Sequence, residues 1–592
     1  MKDGYDDVRE AFERAEQVHP ADYDPGAEDP RTPQDGGPWD PVSDPMDQLA
    51  EECALFPLND YGNGRRFTKY FGDEVLFVPR VGWFVWNGKC WAQDDDQLEV
   101  RRLAQQISGR VSREALFLRL QPWEELEIEA GDLARETVAE IKETPASKRS
   151  DDQKAQLKEL ETQVGKADDL RKKLAALRRG HHSHAKAAGN TGPINNMMRE
   201  AQVDVYQPLS RLNEDPLMIN TGSGVIRFFE EEHKATGRKT WRREVIGHAR
   251  DQYLSKIMDV DFDPAAKRPV FDKFLCRIQP DPALREFLQR WFGYSLSGLT
   301  TEQKLAFFYG GGRNGKSTLM DLIARMMGPY ATTVPIESLA GSDQRKGSDA
   351  TPDLVRLPGA RMVRAAEPEK GQKLKEALIK QLTGGEEILV RRMQQEFVEV
   401  VPEFKLTIAG NHKPEIRGTD NGIWRRVLLV PFLESIPDEE VDPLLPKKLE
   451  AERPGILNWL LEGLQKWLEG GLQIPEVVLE ATREYREESD PVLVFLRTCC
   501  EVDGDPTVFT RSRDLIDAFN WWYVHTGRGD AWGSRTVSNH FADKAKFYKT
   551  ADGRGFTQKK ISDTGYGGIR LSDGFNEMRA DAEADAKYAG GQ

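Results

Sequence analysis

Apolar positions along the middle of the chain alternate between two periods. Lys304–Tyr309 (KLAFFY), Arg361–Ala366 (RMVRAA), Phe404–Gly410 (FKLTIAG) and Val427–Phe432 (VLLVPF) are short, nearly continuous apolar runs, the pattern of strands buried on both faces. Between and before them the spacing turns helical. Residues 318–327 follow the first run, and Pro264–Leu299 place Phe271, Phe274, Leu275 and Ile278, then Leu284, Phe287, Leu288, Trp291 and Phe292, on helical faces. Strands that alternate with helices predict an α/β core around a parallel sheet. Ile388–Met393 and Phe397–Val401 predict a β-hairpin within it.

The flanks read differently. Residues 75–95 are β-rich, with Asn87-Gly88 as a hairpin signal and Trp83, Trp86 and Trp91 as a small core. Leu157, Leu160, Val164, Ala167, Leu170, Leu174 and Leu177 form an amphipathic stripe. A break at Thr144-Pro145 and a capping box at Ser150 and Gln153 divide this charged segment into two antiparallel helices. His181, His182 and His184 follow as a solvated loop. Near the C-terminus, helices at 511–526 and 534–548 and short strands within 549–571 predict a winged-helix module. Arg535, Lys544, Lys546, Lys549, Arg554, Lys559, Lys560 and Arg570 make it locally basic.

Composition adds limits. With 39% hydrophobic and 31% charged residues the chain reads as globular, and it has no apolar run long enough to span a membrane. Five scattered cysteines predict reduced thiols in a cytoplasmic protein. The net charge of −15 is uneven. Residues 1–52 hold sixteen acidic and four basic residues, a balance of −12, so the remaining 540 carry −3. Total charge therefore does not exclude a local basic channel for nucleic acid.

The candidate chemistry sits at the ends of the apolar runs. Gly310, Gly311, Gly312, Arg313, Asn314, Gly315, Lys316, Ser317 and Thr318 follow the first strand and open a helix. This is G-x-x-x-x-G-K-[ST] in its strand–loop–helix setting, a phosphate loop for ATP or GTP. Glycines let successive N–H groups face phosphate oxygens, and the helix start adds positive potential. Lys316 reaches the β- and γ-phosphates, and the Ser317 hydroxyl is a ligand for Mg²⁺. The second run ends at Glu367-Pro368-Glu369, acids that can hold Mg²⁺ and polarise water; which of the two orients the water stays open. Glu367 is the acidic metal ligand expected. Asn411, after the third run, can sit between the γ-phosphate and attacking water. Arg425 or Arg426 can serve a neighbouring subunit as an arginine finger. Lys380, Arg391 and Arg392, on and before the hairpin, are candidate contacts to DNA phosphates.

Phosphate loop, acidic strand end, basic hairpin, Asn-ended strand and trailing arginines follow one another as in superfamily 3 helicases. GGGRNGKST, KQLTGGEEILVRR, AGNHKP and NGIWRRVLLVPF most closely resemble blocks of the phage, plasmid and poxvirus-type primase-helicase family. The likeness covers about residues 200–490, and 57–92 more loosely. It implies an AAA+-like core, a hexameric homo-oligomer, ATP and Mg²⁺ as cofactors, and action on single-stranded and forked DNA. It implies an ATP-dependent replicative helicase of a phage or mobile element. A nucleotide-switched initiator or loader is the alternative. No primase site is evident before residue 200, so priming is expected from a separate chain; no membrane partner is expected. The expected layout is a disordered acidic tail (1–45), a small β-rich region (46–123), a helical hairpin insertion (124–200), a helicase-associated or oligomerisation region (201–300), the core (301–470), a helical linker with the winged helix (471–571) and an acidic tail (572–592).

Overall fold

Which segments pair and which wind into helices follows from where the apolar side chains recur. A computed structural model describes residues 45–234, 237, 239–341, 353–354, 356–366, 368, 371–390, 397–416, 421–528 and 530–589, the last six by backbone alone. The expected acidic tail at the N-terminus lies outside them, apart from its last residue. The chain forms two compact units: a helical one of residues up to Gly72 with Arg101–Asp204, and one of Asp73–Val100 with Val205–Gln592.

In chain order come α1 (Pro45–Ala54), α2 (Asp60–Phe71), then strands β1 (Val75–Val78), β2 (Gly82–Trp86) and β3 (Trp91–Asp94), followed by α3 (Leu98–Glu114), α4 (Pro122–Glu143), α5 (Asp151–Ala188) and α6 (Thr191–Ala201). The helical unit has a charged centre. Arg66 and Glu114 are both fully buried, joined at 2.8 Å and 3.1 Å, and the guanidinium also donates to the carbonyls of Cys53, Phe56 and Pro57. Those added bonds satisfy the donors that burial would otherwise leave unpaired.

Two expectations change here. Residues 46–123 do not form one region. Their helices join the helical unit, whereas β1–β3 belong to the other, where Phe77 N–H donates to Val205 O and Trp91 N–H to Leu254 O. The histidines are not in a solvated loop. α5 runs 38 residues through them, His181 is buried, and His184 Nε2 lies 2.8 Å from Asn63 Oδ1. The helix continues because nothing after Leu177 breaks it; Gly180 alone lacks the strength to do so.

The second unit continues with β4 (Met218–Thr221), β5 (Gly224–Glu232) and β6 (Lys239–Ile246), an antiparallel sheet in a segment for which no element was expected, then α7 (Pro269–Ile278) and α8 (Pro282–Tyr294). The central segment follows: β7 (Leu305–Tyr309), α9 (Lys316–Met327), β8 (Ala331–Thr333), β9 (Met362–Ala366), α10 (Glu376–Gly384), β10 (Ile388–Val390), β11 (Val398–Val400), β12 (Lys405–Gly410) and β13 (Val427–Pro431). Its main sheet is parallel, in the order β13-β7-β12-β9-β8. Strands β7, β12 and β13 are buried almost throughout, as their unbroken apolar runs require. β10 and β11 pair as the expected hairpin, Ile388 opposite Val400.

Helices α11 (Arg453–Gly470), α12 (Glu476–Glu488) and α13 (Pro491–Cys499) lead to β14 (Cys500–Val502), β15 (Phe509–Arg511), α14 (Ser512–His525), α15 (Ser534–Phe547), β16 (Thr557–Lys560), β17 (Thr564–Gly567), β18 (Ile569–Leu571) and α16 (Asp573–Ala589). This end has its own core around Phe495, Phe519, Trp522, Phe541 and Tyr566. The segment expected as an acidic tail is α16. Phe575 is 3% exposed and sits against Phe495 and Trp521, an apolar anchor hidden in a polar composition. Among the described residues no helix is long and apolar enough to cross a membrane.

Candidate functional site

All strands of the main sheet run one way, so their C-terminal ends share an edge. Tyr309 of β7 stands in register with Gly410 of β12 and Pro431 of β13. The chain leaves β7 for the far edge of the sheet and later adds β13 on the other side, which makes the end of β7 a topological switch point, where open α/β sheets bind ligands. Residues 310–315 occupy that place.

The glycines of this loop divide by cause. A Cβ on Gly310 would lie 2.0 Å from the Phe432 carbonyl oxygen. One on Gly315 would meet Ile278 of α7 at 2.4 Å, and its φ of +77° is left-handed. Packing demands both. Gly311 and Gly312 have nothing within 4 Å of an added Cβ, so packing does not explain them. Their backbone lies open on that side. Asn314 ties the loop down by donating to Phe432 O at 3.1 Å, and Ile436 N–H donates to Arg313 O.

Lys316 begins α9 and is 5% exposed. Its ammonium donates to Gly310 O at 2.8 Å, Gly311 O at 3.2 Å, Asn314 Oδ1 at 3.1 Å and Asn411 Oδ1 at 3.3 Å. The sheet thus brings Asn411 to Lys316 from 95 residues away. The N-cap residue of α9, Gly315, has no side chain to cap it, although Asn314 Oδ1 accepts from Lys316 N–H at 3.4 Å; Ser317 is exposed and Thr318 half-buried in the same turn. Beside the loop a cleft of about 930 Å³ is lined by Val270, Phe274, Arg277, Arg313, Thr318 and Ile436, among others.

Glu367 and Glu369 lie outside the described residues. β9 ends beside them at Ala366, in register with Ala409 of β12, and a Cβ on Gly410 would meet Pro368 at 2.8 Å. Arg391 and Arg392 also lie outside; Lys380 is half-buried on α10.

Arg425 and Arg426 precede β13, at the opposite edge of the sheet, because Val427 is in register with Leu305. The five residues of β7 span about 16 Å, so neither arginine shares an edge with the 310–315 loop. Arg426 is 8% exposed and turned inward, with Nε donating to Thr383 Oγ1 at 3.1 Å and Nη1 to Gly422 O at 2.7 Å. Arg425 is exposed and reaches Gln303 Oε1 at 3.2 Å. Burial holds the neighbouring Lys304 ammonium below its usual range; Glu302 opposes this, and Arg425 and Arg426 add to it.

Sequence reasoning missed a pair of buried cations at that same edge. Lys405, 2% exposed, donates to the carbonyls of Ser297, Leu299 and Glu403 and lies over the Tyr294 ring. Arg361, 1% exposed, donates to Leu296 O at 2.7 Å and lies over the Tyr330 ring. They satisfy the carbonyls at and after the end of α8. Their only sequence signal is a basic residue leading into an apolar run, which a solvated strand end shares.

Comparison with known proteins now adds context. Residues 64–280 match a family model described as D5 N terminal like, and residues 308–426 match a family of unknown function, DUF5906. The chain is 27% identical to "Putative helicase L207/L206" of Acanthamoeba polyphaga mimivirus, over 50% of this chain and 33% of that protein. It is 24% identical to "Putative helicase 022R" of Frog virus 3, over 79% of this chain and 55% of the relative. With "Putative primase C962R" of African swine fever virus (isolate Tick/Malawi/Lil 20-1/1983) the identity is 24%, over 53% and 34%. The class these likenesses define is one of viral proteins named as helicases and primases. The chain spans from a third to just over half the length of these relatives.

Proposed function

We propose that the chain is an ATP-driven DNA helicase of the superfamily 3 type, with an AAA+-like core that works as a ring of identical subunits. The observation that carries this reading is the meeting of Lys316 and Asn411 at the switch-point edge, beside backbone left open at Gly311 and Gly312. The names of the viral relatives and the strand order of the parallel sheet support it.

The residues present fit a magnesium nucleotide. Loop amides and the N-terminus of α9 favour phosphate oxygens. The Lys316 ammonium, which here donates to Gly310 O, Gly311 O, Asn314 Oδ1 and Asn411 Oδ1, would turn to the β- and γ-phosphates, a charge-assisted bond. The cleft beside Phe274 and Ile436 offers an apolar bed for the nucleoside. Ser317 and Glu367 would hold Mg²⁺, which spreads the charge of the phosphate oxygens when bound. A carboxylate of Glu367 or Glu369 accepts the proton of the attacking water, and the Asn411 amide positions that water against the γ-phosphate.

An arginine is still needed to neutralise transition-state charge. Arg425 is the one turned outward, at an edge remote from its own loop, so it serves the next subunit. That requirement favours a closed ring. The basic hairpin with Arg391 and Arg392, together with Lys380, grips the phosphates of one strand.

The test is unwinding of a forked duplex with ATP, with Lys316→Ala as control. The expected result is strand separation by the wild type and loss of both hydrolysis and unwinding in the variant. ATP-dependent DNA binding without separation would instead mark a nucleotide-switched initiator.

A further inference from the structure

In the helical unit, α4 buries one face and leaves a second one apolar. Glu124, Gly131, Ala134 and Val138 are buried, and a Cβ on Gly131 would stand 2.4 Å from the Ala167 methyl and 3.0 Å from the Gln163 carbonyl oxygen, so α4 and α5 approach closely there. Trp123, Leu126 and Leu133 take no part in that packing. They are 58%, 63% and 69% exposed, and with the exposed Ala130 they recur at steps of three, four and three residues. At 3.6 residues per turn this spacing draws one stripe, about 100° round the helix from the buried face. It is the seam pattern of a helix that packs along another. Apolar residues scattered singly on a surface need no explanation, but a continuous stripe headed by a tryptophan marks an interaction surface.

Charge selects the partner. α4 holds eight Asp/Glu against two Lys/Arg. Glu124 pairs with Lys173 and Asp132 with Arg171, both on α5. Glu129, Glu136 and Glu140 have no cationic partner among the described residues, and the helical period sets them along the stripe on its side away from α5.

We propose that this face of α4 docks an amphipathic helix of a partner protein, apolar along one side and rich in lysine or arginine beside it. Apolar side chains of that helix close over Trp123, Leu126 and Leu133 while its cations meet Glu129, Glu136 and Glu140. The receiving helix is already built. Pro122 opens its first turn, Glu124 accepts from Gln121 N–H at 3.0 Å, and α5 supports its buried face, so docking costs little ordering on this side. Other occupants match the charge less well. The α4 of another copy would set the same acids against these. Residues 1–44 of this chain hold thirteen Asp/Glu and four Lys/Arg. A helix lying on a membrane carries Lys and Arg on its polar face, whereas anionic headgroups repel acidic flanks. The surface stands on the helical unit alone, whether or not the core hydrolyses ATP.

The probe is a synthetic peptide of about 18 residues, five helical turns, with leucines at three- and four-residue steps and lysines beside them. Its control has the same composition, scrambled so that no stripe forms. Fluorescence anisotropy of the labelled peptides reads binding to the full chain, and thermal melting checks the fold of each variant. The striped peptide should bind the wild type more tightly than the scrambled one. Trp123→Ala/Leu133→Ala should melt as the wild type does and bind the striped peptide about 30-fold more weakly, as loss of a central aromatic anchor does. Glu129→Gln/Glu136→Gln should weaken it about three- to ten-fold at low salt and little at high salt. Equal affinity for the two peptides would overturn the proposal by reducing it to plain charge attraction, and so would wild-type peptide affinity in the Trp123 variant. Self-association of the peptide-free chain that this variant abolishes would give the face to a second copy instead. Co-sedimentation with phosphatidylcholine vesicles, lost in the same variant, would give it to a lipid surface.

Discussion

Gly310 and Gly311 are neighbours of one residue type with opposite physical reasons, and that contrast can be measured. Alanine at 310 drives a methyl to 2.0 Å from a backbone oxygen, so the loop or β13 must shift. Gly310→Ala should lower the melting temperature, at a cost of about 1–3 kcal/mol for overpacking. Gly311→Ala meets nothing. It should melt as the wild type does yet bind ATP less well, by about 1.5–3 kcal/mol if the methyl displaces one charge-assisted phosphate bond. Wild-type ATP binding by Gly311→Ala would remove the functional reading of Gly311. Lys405 supplies a pH test. Burial holds its ammonium well below the ordinary 10.5, with Arg361 pushing the same way and Glu403 opposing. As pH rises toward 10.5 the unfolded chain keeps more protons on this lysine than the folded one, so its contribution to stability grows with pH there. Lys405→Met should flatten that alkaline rise. It should also destabilise at neutral pH by about 1–3 kcal/mol through the carbonyls it leaves unpaired. Denaturant unfolding across alkaline pH reads both effects.

At the scale of elements, parallel strands put the phosphate loop and Arg425 at opposite ends of β7 and β13. The proposed ring therefore predicts complementation between subunits. Arg425→Ala alone and Lys316→Ala alone should each be inactive in ATP hydrolysis. Mixing them should restore a fraction of the rate, because an intact loop then meets an intact arginine across some boundaries. Absence of any recovery in mixtures, with both variants still assembling, would count against an arginine supplied in trans. Arg426→Ala should lower the melting temperature instead, since its bonds to Thr383 and Gly422 are internal. The same logic applies to α16, whose composition conceals an anchor. Phe575→Ala should destabilise the C-terminal module by about 3–5 kcal/mol, seen as an earlier melting step.

For the whole molecule, the proposed ring predicts assembly. Mass measurement of the nucleotide-bound chain should find a closed oligomer, and single-stranded DNA should raise its ATPase rate several-fold. A nucleotide-bound monomer whose hydrolysis ignores DNA would defeat the helicase reading. Much of this architecture was legible along the chain. The apolar runs became β7, β9, β12 and β13, the loop opened α9, and the hairpin formed as β10 and β11. Such features depend on residues within a few positions of one another, through backbone sterics, turn chemistry and the period of burial. Legibility failed where an outcome depends on what a surface packs against. The histidines of α5, the sheet of β4–β6 and the helix α16 fall in this class, as does the division of residues 46–123 between two units.

The sequence by itself determined the local strand–loop–helix chemistry at residues 305–327 and the order in which the candidate groups follow it, because both rest on short-range interactions. Only tertiary structure decided that Asn411 lies at Lys316, that Arg425 faces outward while Arg426 faces in, and that Lys405 is buried. The reason is physical. The free energy of a charge depends on its solvation and partners, and for these residues the partners come from strands and helices far apart in the chain.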